Sequence, residues 1–238
     1  MSRPIPAGDY VEHFDPELPH HRVWLLAVLE QLVVHEPQAL EEGSTLRRLW
    51  TADQAAETRS PELTTLVPAQ ATTSASRGNP LSVPWFAQLD SATDQGRRMC
   101  FSSSCAMLLA FLRPGVLSGP NGDDQYLARV RQFGDTTDPV AQIKALASYG
   151  NTAQFSKQAS FSTIEVQSAA GFPVPCGYLQ RGPVSNPSGG LHWLLVVGLT
   201  PTHLIVHDPL GEADLVNGTT VGGTARFCRY SRRNVARR

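Results

Sequence analysis

The feature that most constrains this chain is one change of hydrophobic period, from helical to alternating, between residues 81 and 238. Residues 100–112, 123–133, 138–149 and 163–170 carry helix-spaced apolar positions, with stops at Pro114-Gly115, Gly150 and Gly171. After them come short runs of strand character at 174–180, 191–199, 203–208 and 225–230. Helices first and strands after is the α+β order. Leu81–Asp90 reads as a short strand entering a polar loop that contains Gly96.

Upstream the texture differs. Residues 1–19 are rich in Pro and polar side chains and are expected to be extended. Val23, Leu25, Leu26, Val28, Leu29, Leu32 and Val33 predict a helix over about 20–35, and Leu46, Leu49 and Trp50 predict another over 43–58. The Pro, Ser, Thr and Ala content of 59–80 predicts a linker. The expected organisation is therefore a helical segment 1–58, a linker 59–80 and a main domain 81–235. The net charge of −1 argues against bulk attraction to nucleic acid, but charge is unevenly spread. Residues 1–62 hold eleven acids and five Arg, whereas 226–238 hold six Arg and no acid, which predicts a solvated basic tail. Residues 1–16 lack an apolar stretch of the secretory kind, and the runs 23–29 and 193–199 are too short to span a bilayer. The expectation is cytoplasmic synthesis without a signal peptide.

The chemistry starts with four cysteines, at 100, 105, 176 and 228. They are too sparse for a disulfide scaffold and form no C-x-x-C pair for structural zinc, so reduced thiols are expected. Cys100 stands where the polar loop meets the apolar helix. Unpaired N–H groups and the positive end of the helix dipole favour a thiolate there. Cys105, inside the same helix, and Cys176, in an apolar strand, read as packing residues.

A base comes from the strands. His192 follows Gly189-Gly190 and opens the run Trp193–Val197. A turn near Thr200-Pro201 returns the chain as His203–Asp208. Pairing symmetric about residue 200 sets Asp208 directly opposite His192, where a carboxylate can accept an imidazole N–H. Alternation sends His207 to the other face, and a one-residue slip would reverse that choice. Cys100 as nucleophile, His192 as base and Asp208 as its orienter make a thiol triad. The side-chain amide of Gln88, twelve residues before Cys100, is the candidate partner of the Cys100 N–H in holding an oxyanion.

These motifs carry a resemblance. Val83–Asp90, Met99–Leu112, Gly189–Gly198 and Ile205–Glu212 together resemble the double-glycine-leader (bacteriocin-processing) peptidase-like family of the papain superfamily. The matched positions are Gln88, Cys100, His192 and the Asp208-Pro209-Leu210-Gly211 turn. The chain reads Cys-Phe-Ser-Ser-Ser where many members read Cys-Gly-Pro-Thr-Ser. The resemblance implies a papain-like fold, a catalytic helix packed on an antiparallel sheet, over roughly 81–235. It implies a cysteine peptidase or amidase needing no metal or organic cofactor. Stand-alone members are similar to cell-wall-directed hydrolases, including those of bacterial viruses. That implies peptidoglycan stem peptides as substrate and a virus particle as location. A second option is a binding or structural module on this scaffold within a larger assembly, docked through residues 1–58 or the Arg-rich tail. A third is a transferase using the same thiol; no nucleic-acid partner is expected.

Overall fold

A computed structural model describes residues 63–68 and 78–238. The helices expected over 20–35 and 43–58 lie outside the described residues. The contact pattern divides the chain at residue 60/61.

The fold is mixed α and β. Among the described residues the strands are β1 (Leu63–Pro68), β2 (Ala153–Ala159), β3 (Val174–Arg181), β4 (Ser188–Leu199), β5 (His203–His207), β6 (Glu212–Asp214), β7 (Thr219–Gly222) and β8 (Cys228–Ser231). Six of them form one antiparallel sheet in the order β2-β1-β3-β4-β5-β8, while β6 and β7 pair separately. The helices among the described residues are α1 (Cys100–Leu112), α2 (Gly122–Val130), α3 (Pro139–Ser148), α4 (Phe161–Ala169) and α5 (Arg232–Val235). Among the described residues no helix is long and apolar enough to cross a membrane.

The alternation of β4 builds both sides of the sheet. Trp193, Leu195 and Val197 join a core with α1, α2 and α3, whereas Leu194 and Val196 join a second core with Ile164 of α4 and Val235 of α5. Every residue of α1 from Phe101 to Ala110 is buried, as expected of a helix enclosed on all sides. Phe101 stacks on Trp193, with ring centroids 3.7 Å apart and planes 4° from parallel. Gly177 stands opposite Trp193 in β3, and a Cβ there would lie only 3.2 Å from the indole. The bare backbone makes room for the large ring.

Polar groups of α1 are tied to α2 and to the loop before α3. Ser102 Oγ meets Thr136 Oγ1 at 2.7 Å, and Gln142 Nε2 donates both to Ser102 Oγ and to the Thr136 carbonyl. Ser103 Oγ donates to Asp123 Oδ2 at 2.6 Å. The Cys-Phe-Ser-Ser-Ser sequence thus supplies interior hydroxyls, two of which hold the helix that begins at Cys100 in place. At α3, Asp138 caps the Val140 N–H, Pro139 takes the first helical position and Gly150 closes the end at φ 79°.

Four expectations are corrected. The stretch 59–80 is not all linker: β1 lies within it and bridges β2 and β3. Leu81–Asp90 forms no strand; Leu81 N–H bonds the Val197 carbonyl, and only a short 3-10 turn follows at Gln88–Asp90. The polar run Ala153–Ala159, read as no element, is β2, because β1 supplies the pairing that its sequence does not advertise. The basic tail is not simply solvated. β8 completes the sheet, Arg232 pairs with Glu165, and Arg238 donates to the carbonyls of Leu179, Leu215 and Gly182.

Gln142→Ala leaves the buried Thr136 carbonyl and Ser102 hydroxyl without their amide donor. It is expected to cost about 1–3 kcal/mol, read as a lower urea midpoint with an unchanged slope.

Candidate active site

The site is assembled by three peptide segments that meet at the head of α1. Cys100 is the first residue of that helix. Its N-cap, Met99, provides no side-chain cap, so the leading N–H groups stay uncommitted. Cys100 is half-buried, and its thiol lies within hydrogen-bonding reach of the His192 ring.

His192 Nε2 lies 2.7 Å from Asp208 Oδ1, leaving Nδ1 as the nitrogen free to serve the sulfur. The expected triad therefore converges, though by a different register. The hairpin pairs Leu199 with Leu204 and Gly198 with Ile205, then slips at a bulge to Val196–Val206 and Leu195–His207. Extending that ladder by one sets Asp208 against Leu194, not against His192. His192 is the diagonal neighbour on the same face, two residues along β4, still within side-chain reach. The bulge decides the outcome. Without the extra residue, the register at the turn would put Asp208 against Leu195, on the helix side of the sheet. A bulge that inserts one residue and redirects a side chain beside a site has this effect.

Asp208 is fully buried and accepts three hydrogen bonds. His192 and the Leu210 N–H meet Oδ1, and the Tyr230 hydroxyl donates to Oδ2 at 2.9 Å. Tyr230 itself accepts from the Ala213 N–H, which fixes the direction of its proton. Tyr178 stands edge-on to the imidazole at a centroid distance of 5.5 Å. Sequence reasoning missed both tyrosines. Tyr178 was in principle legible, since it faces His192 on the paired strand β3. Tyr230 was not, because nothing local sets the order β5-β8.

Burial alone would hold the His192 ring neutral, but the Asp208 charge and its hydrogen bond, together with the Cys100 sulfur, raise its pKa to about 10. The ring is thus cationic at neutral pH. His207 is the opposite case. Burial and the Arg226 charge push it down to about 4, and its Nδ1 accepts the Phe227 N–H. It is a neutral packing histidine on the other face. Cys105 and Cys176 are buried, and desolvation pushes both thiols up, Cys176 to about 12.

Gln88 is carried by a segment docked on the Asp208-Pro209 turn. Trp85 Nε1 donates to the Asp208 carbonyl at 3.1 Å, and the Gln88 N–H bonds the Pro209 carbonyl at 2.9 Å. Its side-chain Nε2 donates one hydrogen to the Gly96 carbonyl at 2.8 Å, leaving the second uncommitted. Gly96 is required there, since a Cβ would come within 2.8 Å of the Gln88 carbonyl oxygen. Gln88, Cys100 and His192 all line one cavity of about 710 Å³, with Phe101, Phe155 and Trp193 among its apolar walls. No family model, curated protein or solved structure matches the chain.

Because the folded pKa of His192 lies above its free value of about 6.5, its pairing contributes stability fully below that pH. The contribution is lost as pH rises through about 10. NMR titration of the His192 ring is expected to show it protonated at neutral pH. In Asp208→Asn burial is left as the dominant influence and the pKa should fall below the ordinary range; an unchanged value would refute the pairing. Tyr230→Phe removes one of three donors to Asp208. It should move the His192 titration, a response that a purely structural hydroxyl would not produce.

Proposed function

We propose that the chain is a cysteine peptidase or amidase on a papain-like scaffold, hydrolysing a peptide-like bond. One observation carries this reading: a single imidazole bridges a thiol at a helix N-terminus and a saturated, buried carboxylate. The location supports it too, since the sulfur and the ring share a cavity with an amide donor.

Each group has a step. The Cys100 sulfur attacks the acyl carbon, and the carbonyl π electrons move onto oxygen. The Cys100 N–H and the spare Gln88 N–H stabilise that oxyanion. The tetrahedral adduct collapses by breaking the C–N bond, and the leaving nitrogen takes the proton held on His192 Nδ1. The resulting thioester is attacked by water, whose proton passes to Nδ1. Loss of the sulfur then releases the acid. Asp208 accepts from Nε2–H throughout and so holds the ring's orientation. The resemblance makes peptidoglycan stem peptides the first substrates to try, including with intact virus particles if the chain is found in them.

Cys100→Ala is expected to abolish hydrolysis of purified cell wall or of a generic amide substrate, and iodoacetamide should do the same to the wild type. Hydrolysis that survives the substitution would end this reading. Gln88→Ala should lower kcat by about 10²–10³ with a small change in KM, as for loss of one oxyanion donor.

A further inference from the structure

Resting on the thiol-hydrolase reading, we propose that the cavity at Cys100 selects an anionic substrate: a peptide bearing carboxylates close to the scissile bond.

The net charge of the chain gives no hint of this, being −1. The lining of the cavity does. Arg97, Arg98, Lys157 and Arg181 all border it, and no Asp or Glu does among the described residues. Asp135 neutralises Arg98 at 2.9 Å. The other three cations are exposed and have no acidic partner among the described residues. Three like charges around one opening repel each other, and an anionic occupant relieves that repulsion. A cleft walled by one sign of charge also concentrates ligands of the other sign.

The cations come from three different segments, which argues for a built site over an incidental run. Arg97 sits three residues before the nucleophile. Lys157 lies two residues from Phe155 on β2, and both border the cavity. Arg181 ends β3, and its stem crosses Gly189: a Cβ on that glycine would lie 3.2 Å from Arg181 Cβ and Cγ and 3.3 Å from Cδ. Gly189, at φ 85°, thus leaves the space that the stem fills. A guanidinium suits a carboxylate or phosphate fork equally. The sulfur, however, needs an acyl carbon to attack, which favours an acidic peptide over a nucleic acid.

Two alkylating agents that differ mainly in charge test this on the full chain. Rates of Cys100 modification by iodoacetate and by neutral iodoacetamide are measured by peptide mass spectrometry, and their ratio is normalised to free cysteine. The ratio is expected to favour iodoacetate by about tenfold, within the range seen for charged clefts. It should collapse at about 1 M salt, where the screening length is near 3 Å. The His192 imidazolium also attracts an anion, so the deciding comparison is with Arg97→Glu, Lys157→Glu and Arg181→Glu combined, which keeps His192. That variant should lose most of the preference, and tetraglutamate should protect the wild type but not the variant. Failure of iodoacetamide to modify Cys100 would overturn the thiol reading and this inference together. Ready modification by iodoacetamide with a ratio unmoved by the triple variant would overturn this inference alone. So would stronger protection by oligothymidylate than by tetraglutamate.

Discussion

The buried contact between His192 and Asp208 is the constraint around which this site is arranged. Removing two charges from water carries a penalty of several kcal/mol per ion, which mutual attraction offsets only if the remaining polar atoms are also satisfied. Here the carboxylate receives the imidazole, a backbone N–H and a tyrosine hydroxyl. These three donors come from β4, the loop after β5, and β8. The pairing is therefore a product of the sheet, and strand order and chemistry are one problem. It also explains why the bulge in β4 matters: it is the local irregularity that brings the two residues to the same face.

The second requirement is delivery of the sulfur. α1 is enclosed almost completely, so its N-terminus can be held without a capping side chain. Its serines are unusual in a buried helix, since they compete for backbone bonds. Ser102 and Ser103 find side-chain partners across to Thr136, Gln142 and Asp123. Ser103 donates to Asp123, but desolvation is the larger influence and pushes that carboxyl up to about 6. The helix is thus held by polar contacts on two sides and by the Phe101–Trp193 stack on a third.

Much of this was legible in the sequence, and the reasons differ by element. Helix α1 was readable because its apolar run is bounded by a polar loop and a Pro-Gly stop. The face shared by His192 and Asp208 was also correct, although the assumed register was off by two residues. An even error preserves the face; the bulge turned what would have been an odd one into an even one. By contrast, β1 and β2 were invisible. The segments 63–68 and 153–159 lack the apolar alternation of an isolated strand signal; β1 is a strand because it pairs with both β2 and β3, and β2 because β1 is there. The same applies to the Arg-rich end. Its charges predict solvent, but backbone carbonyls left open by β3 and its hairpin accept Arg238, and Glu165 accepts Arg232.

The distribution of exposure across the site follows from what each group must do. Asp208 never contacts a substrate in the proposed cycle, so complete burial strengthens its grip on the ring without hindering access. In that cycle His192 exchanges protons only with the sulfur, the leaving group and one water. It can sit at 3% exposure provided that its free nitrogen faces the cavity. Cys100, which meets the acyl carbon in the proposed cycle, is the only one of the three left half-buried. The cations at the rim reach outward on long side chains, and they are the most exposed of all. From the orienting carboxylate outward, the site grades from dry to wet. Electrostatic effects are strongest at its base, where the proposed cycle needs rigid geometry, and are screened at its mouth, where that cycle has substrate enter and product leave.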